Sequence, residues 1–271
     1  MTRPSYTVLG GLGAQIDAAA VELGTRKQRI TLAQLILAEG APVSADRLIV
    51  GVWGDAPPDR AEVSLQAYIS GLRKALEPDR KPRAPSTVLL THGSGYSLPT
   101  DDDQVDVRHL VTRITRAREL LRHDDPAGAA ALLREVLADY RPLLPEFEGL
   151  GFRDEAAAHL ERLVDAAREL SFEARMAIGD HRLLLSELEQ ALQRSPLDEG
   201  LWVLLATARY RLGRQSDALG AIAEARRILA RAEGLGRRLA QVPSPFVLCH
   251  ADIHTGNVLL DSEGQVWIVD W

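Results

Sequence analysis

The sequence predicts a mainly α protein with a small β component, in which a mixed head precedes a helical-repeat body. Three observations carry that reading. Short β-prone segments punctuated by glycine occupy the first 25 residues and residues 87–98, with three helical periodicities between them. From Val105 to Leu229 the chain is rich in Ala, Leu and Arg and helical by period almost throughout. Charge divides at the same place: residues 1–98 hold 11 Lys/Arg against 9 Asp/Glu, whereas residues 99–271 hold 21 against 29.

Composition bounds the possibilities. A chain of 271 residues has room for two ordinary cores, and 46% apolar with 26% charged residues is the balance of a soluble globular protein. No run approaches the roughly 20 apolar residues of a membrane span, and Met1-Thr2-Arg3-Pro4 does not open a signal-peptide core. The single cysteine, Cys249, leaves no internal disulfide to form and reads as a small buried hydrophobe in a reducing compartment. The expectation is a cytoplasmic protein with no membrane partner. A net charge of −6 argues by itself against nucleic acid, but a basic head on an acidic body argues for it; all three lysines (Lys27, Lys74, Lys81) lie in the head.

Tyr6-Thr7-Val8-Leu9 and Ala20-Val21-Glu22-Leu23 read as strands flanking a Gly-rich turn. Gly10-Gly11-Leu12-Gly13 lacks the third glycine of a dinucleotide fingerprint and any Gly-Lys-Ser/Thr, so it reads as a hairpin turn rather than a phosphate loop. Arg26 to Glu39 has helical spacing, and Gly40 stops it. Ser44 or Asp46 caps a short second helix through Trp53, which Pro57-Pro58 prevents from continuing. The third helix, Ala61 to Leu76, places Leu65, Ile69, Leu72 and Leu76 on one buried stripe. Thr87 to Thr91 and Tyr96 to Leu98 read as strands joined by a turn at His92-Gly93-Ser94-Gly95. Sheet, three helices and hairpin, in that order, form a winged helix-turn-helix whose third helix suits a DNA major groove.

Several stretches occur in order that resemble one family: Lys27-Gln28-Arg29, Asp46-Arg47-Leu48-Ile49, Val52-Trp53-Gly54-Asp55-Ala56-Pro57-Pro58, Ser64 to Leu76, and Gly95-Tyr96. Over roughly residues 5–230 the chain resembles the Streptomyces antibiotic regulatory protein family, which joins an OmpR-type winged helix to a bacterial transcriptional activator domain. The resemblance implies an activator of a secondary-metabolite gene cluster that binds promoter direct repeats as a side-by-side homo-oligomer. It also implies recruitment of RNA polymerase, including its sigma factor, and no cofactor. The third helix offers Ser64, Gln66, Tyr68, Ser70, Arg73 and Lys74 to DNA. The OmpR-type pattern adds His92, Ser94 and Tyr96 from the wing, and Arg26 and Lys27 near the first helix. Gly71 and His92 stand where relatives commonly carry Arg.

The expected domains are 1–98 (winged helix), 105–230 (tetratricopeptide-like activator domain) and 235–271. Helices starting after Gly179-Asp180 and Gly213-Arg214 lie 34 positions apart, the period of a tetratricopeptide repeat; Asp125-Pro126 to Pro142 has the same pattern out of register. The histidines at 109, 123, 159 and 181 lack metal-ligand spacing, and no metal site is expected. The last segment resembles a fragment of aminoglycoside phosphotransferases. That resemblance makes Asp252 the base, Asn257 and Asp270 the Mg²⁺ ligands and His250 a loop organiser, a set suited to phosphoryl transfer. Because no nucleotide-binding lobe precedes it, the segment reads as a remnant and the chain as a regulator, not an enzyme. A phosphotransferase and a helical scaffold without DNA affinity are the alternatives.

Overall fold

The computed structural model describes residues 3–81 and 83–234, and the backbone of residues 235–239, 258–260 and 266–268. The chain divides after Ser171 into two compact units.

The first unit opens with an antiparallel sheet, β1 (Ser5–Thr7), β2 (Gly13–Ile16) and β3 (Ala19–Ala20), in that order. Gly10 to Leu12 make the turn between β1 and β2, as expected. The second strand expected at Ala20–Leu23 is instead β2 followed by the two-residue β3. Asp17 and Ala18, with φ of 50° and 64°, make a tight turn between them that a propensity reading passes over.

Helix α1 (Arg26–Leu37) begins at a reciprocal cap: Gln28 N–H donates to Thr25 Oγ1 at 3.4 Å, and Thr25 N–H donates to Gln28 Oε1 at 2.8 Å. Strand β4 (Val43–Ser44) leads into α2 (Ala45–Trp53), capped by Ser44, whose Oγ accepts from Arg47 N at 3.2 Å. Helix α3 (Ala61–Leu76) buries Leu65, Ile69, Leu72 and Leu76 as its spacing predicts. Each such side chain contributes about 1.5–3 kcal/mol by leaving water.

Strands β5 (Leu90–His92) and β6 (Gly95–Ser97) form the wing, and β4 completes a sheet ordered β4-β6-β5. The ladder starts three residues later than Thr87, and His92 lies in the strand rather than the turn. The cause is local: the Thr87 and Val88 amides donate to Glu77 Oε1 at 2.7 and 3.3 Å and are unavailable to a strand partner. Gly95 is required by the neighbouring strand, since a Cβ there would stand 2.6 Å from the Val43 carbonyl oxygen.

Helices α4 (Asp106–Arg122), α5 (Pro126–Asp139) and α6 (Gly151–Ala177) follow. One continuous core runs from the head into them, joining Leu35, Leu65, Leu89 and Leu98 to Leu110, Leu133, Phe147 and Val164. The carboxylate of Asp106 fastens the junction, accepting from Val8 N at 2.9 Å and Leu9 N at 3.0 Å. Backbone bonds repeat the link, Leu144 N to Val8 O and Gly10 N to Pro142 O, both at 2.8 Å.

The second unit contains α7 (His181–Arg194), α8 (Glu199–Arg211) and α9 (Gln215–Leu239) around Phe172, Leu184, Leu188, Leu201 and Leu205. Gly179 and Gly213, the two glycines 34 positions apart, both have positive φ and follow the ends of α6 and α8. Helix α9 runs ten residues past the expected end at Leu229. No proline intervenes before Pro243, and Gly234 and Gly236 only lower helix propensity. Beyond it, β7 (Val258–Leu260) and β8 (Val266–Ile268) pair antiparallel, with Leu259 opposite Trp267. His250, Asp252, Asn257 and Asp270 lie outside the described residues.

Candidate nucleic-acid interface

Helix α3 supplies the surface. With Leu65, Ile69, Leu72 and Leu76 at 0–2% exposure, the opposite face carries Val63, Gln66, Ala67, Ser70 and Lys74, all exposed. Gln66, Ser70 and Lys74 recur every four residues and therefore stand one above another. Ser64 is half-buried at the edge of this row. Val63, 62% exposed, is an apolar member that the sequence reading left out; a side chain of this kind suits the methyl group of thymine. Its signal was its place on the face opposite the buried stripe.

Arg73 and Tyr68 are engaged inside the fold. Arg73 donates from Nε and Nη2 to the Leu89 carbonyl oxygen at 3.0 and 2.8 Å, and from Nη2 to Thr91 Oγ1 at 2.7 Å. It thereby ties the last turns of α3 to the wing. Tyr68 is half-buried and stacks on Trp53, with ring centroids 5.9 Å apart and planes 21° apart. The Lys27 ammonium lies 4.9 Å from the centre of the same Trp53 ring. One indole at the end of α2 therefore joins the start of α1 to the middle of α3.

Gly71 is explained by the same junction. A Cβ at this position would stand 2.4 Å from Gln28 Nε2, and Gln28 is the residue that caps α1. The glycine lets the beginning of α1 approach α3.

In the wing, His92, Gly93 and Ser94 are exposed and Tyr96 is half-buried. His92 Nε2 lies 2.8 Å from Ser97 Oγ, which holds the imidazole along the hairpin. At the start of α1, Arg26 is exposed, with its guanidinium 5.8 Å from the Phe147 ring centre and Nη2 donating to the Glu146 carbonyl oxygen at 3.4 Å. Next to it, Arg29 Nη2 pairs with Glu146 Oε1 at 2.9 Å, and that oxygen also accepts from Leu12 N at 2.8 Å. Arg47 on α2 and Arg60 before α3 are further exposed cations outside the expected set.

Comparison with known proteins places this architecture. Residues 19–98 match the family described as transcriptional regulatory protein, C terminal, and residues 105–241 match the bacterial transcriptional activator domain. The chain is 33% identical over 229 residues to the transcriptional regulatory protein EmbR of Mycobacterium tuberculosis, covering 84% of this chain and 58% of EmbR. It is 30% identical to the regulatory protein DnrI of Streptomyces peucetius over 84% of this chain and 85% of DnrI. To the regulatory protein AfsR of Streptomyces griseus it is 30% identical over 86% of this chain and 23% of AfsR. A solved structure of M. tuberculosis EmbR in complex with a low affinity phosphopeptide superposes with a TM-score of 0.75, over 85% of this chain and 61% of that one. The chain thus spans less than two thirds of EmbR. With both matches in the expected order and relatives that are named regulators, the chain belongs to the Streptomyces antibiotic regulatory protein family, an OmpR-type winged helix joined to a bacterial transcriptional activator domain.

Proposed function

We propose that the protein is a DNA-binding transcriptional activator of a secondary-metabolite gene cluster. The observation that carries this reading is the row Gln66, Ser70 and Lys74, exposed on a helix whose opposite stripe is fully buried and whose last turns hold the wing through Arg73. In this reading Gln66 and Ser70 face base edges, with Ser64 and Val63 beside them, and Lys74 meets a phosphate. His92, Ser94 and Tyr96 follow the backbone beside the wing. Arg26 and Lys27 approach it from the start of α1, while Arg73 and Tyr68 position the reading helix.

Family membership supports promoter direct repeats as sites, a side-by-side homo-oligomer on them, and contact with RNA polymerase and its sigma factor. The cytoplasm is the proposed location. Among the described residues no helix is long and apolar enough to cross a membrane. The reading gives the chain no catalytic step and needs no cofactor.

The test is fluorescence anisotropy of the full chain on promoter fragments across a salt series. A site-specific complex whose log affinity falls linearly with log salt supports the reading, with about 0.9 of slope per neutralised phosphate. Equal affinity for all fragments, or no complex at low salt, overturns it.

A further inference from the structure

A cavity of about 660 Å³ opens at the foot of the head, away from the row on α3. Its volume is within the range that takes a drug-sized ligand. Three parts of the fold converge on it: Tyr6 of β1, Leu76 and Glu77 where α3 ends, and Thr100 of the segment leading to α4. Tyr6 is 2% exposed, yet among the described residues its hydroxyl has no hydrogen-bond partner; the Thr100 hydroxyl is likewise buried and unpartnered there. Buried polar atoms are nearly always satisfied, by protein, water or ligand, so two unpartnered hydroxyls lining one cavity mark where an occupant completes the bonding.

The lining also states what kind of ligand. Leu76, Val88 and Ile16 give it apolar wall. Its two cations are each matched to an acid, Arg3 to Asp101 and Arg80 to Glu77, which leaves Asp17, Glu39 and Asp79 to set the sign of the mouth. An anion is repelled there and an ammonium is attracted.

We propose that this cavity binds a small organic amine with a hydroxylated apolar body, its hydroxyl bonded to Tyr6 and its ammonium at the acidic mouth. The site bears on the wing. Glu77 accepts from Ser86 Oγ at 2.5 Å and from Thr87 N at 2.7 Å, fixing the loop that ends at Leu89, the residue whose carbonyl Arg73 holds. An occupant against Glu77 and Val88 therefore biases the wing, a consequence that rests on the DNA-binding reading whereas binding itself does not.

The experiment uses the purified full chain and three phenols of one shape and different charge: tyramine, 2-(4-hydroxyphenyl)ethanol and 4-hydroxyphenylacetate. Saturation-transfer NMR titrations read their affinities without DNA. The expected result is saturable tyramine binding, about tenfold tighter than the carboxylate, and weakened about tenfold in Tyr6→Phe, the factor of one hydrogen bond. Tyr6→Phe keeps the ring in the core and removes one unpaired buried hydroxyl, so its thermal midpoint should equal or exceed that of the parent chain. No saturable binding of any phenol, equal affinity for amine and carboxylate, or unaltered tyramine binding in a folded Tyr6→Phe each overturns the proposal. In a fourth arm, bound tyramine should shift promoter affinity. A shift lost in Tyr6→Phe supports the link to the wing, and constant promoter affinity overturns that link alone.

Discussion

Arg73 donates to the carbonyl oxygen of Leu89 through both Nε and Nη2, at 3.0 and 2.8 Å. Lys74, one residue on, points from the exposed side of the same helix. Two adjacent cations of α3 thus have different tasks, one inside the fold and one toward solvent, and substitution separates them. Lys74→Ala should lower promoter affinity and reduce the salt slope by about 1, with unfolding unchanged. Arg73→Ala should lower the thermal midpoint, at a cost of about 1–3 kcal/mol for the unpaired carbonyl and the lost charged bonds, and weaken binding with a smaller change of slope. Anisotropy across salt, with a denaturation curve for each variant, reads both. Identical behaviour of the two variants would contradict the division.

The two residues also show how far the sequence could be read. Spacing alone identified the buried stripe of α3, because Leu65, Ile69, Leu72 and Leu76 obey the helical period and all are buried. It put Arg73 beside Lys74 because both lie off that stripe. What separates them is a carbonyl 16 residues away, in a segment whose own geometry depends on Glu77. The contact of Arg29 with Glu146 spans 117 residues and was equally illegible. Helices and turns written in local spacing were legible; partners set by tertiary approach, and a terminus such as that of α9 with no breaker near it, were not.

Gly51 offers a stability test inside α2. A Cβ there would stand 2.1 Å from Gln34 Oε1, a side chain 6% exposed whose Nε2 donates to the Leu48 carbonyl oxygen at 3.3 Å. Alanine gains about 1 kcal/mol of helix propensity over glycine, but moving a buried amide off its bond costs about 1–3 kcal/mol. Gly51→Ala should therefore lose about 1 kcal/mol net, seen as a lower denaturant midpoint with an unchanged slope. A stabilised variant would show that Gln34 relaxes freely.

Acid should loosen the loop behind the wing. Burial pushes the Glu77 carboxyl up, but bonds from Ser86, Thr87 and Val88 outweigh it and hold the group below its usual 4.5. A carboxylate depressed in the folded state adds stability above its unfolded value and loses it as pH falls through the folded one. Wild type should exceed Glu77→Gln in stability at about pH 7, and the gap should close as pH drops below the usual carboxylate range. A gap that stays constant down to about pH 3 would contradict the assignment.

Glu146 joins the head to the helices behind it, accepting from Leu12 N at 2.8 Å and pairing with Arg29 at 2.9 Å. The ion pair is partly exposed and is worth about 0–1 kcal/mol, whereas the amide bond to a carboxylate is worth about 1.5–3 kcal/mol. Glu146→Ala should therefore cost about 2 kcal/mol, most of it retained in an Arg29→Ala background. Chemical denaturation of the four chains of the cycle checks this. Complete loss of the effect without Arg29 would move the weight to the ion pair.

In the proposed function, α3 reads DNA sequence with Gln66 and its neighbours. Sequencing the genomic fragments retained by the purified full chain, beside those retained by Gln66→Ala, addresses it most directly. The expected result is one motif enriched as a direct repeat, with preference relaxed at one base of each half in the variant. Fragments without a shared motif, or the same motif at the same stringency from the folded variant, would contradict it.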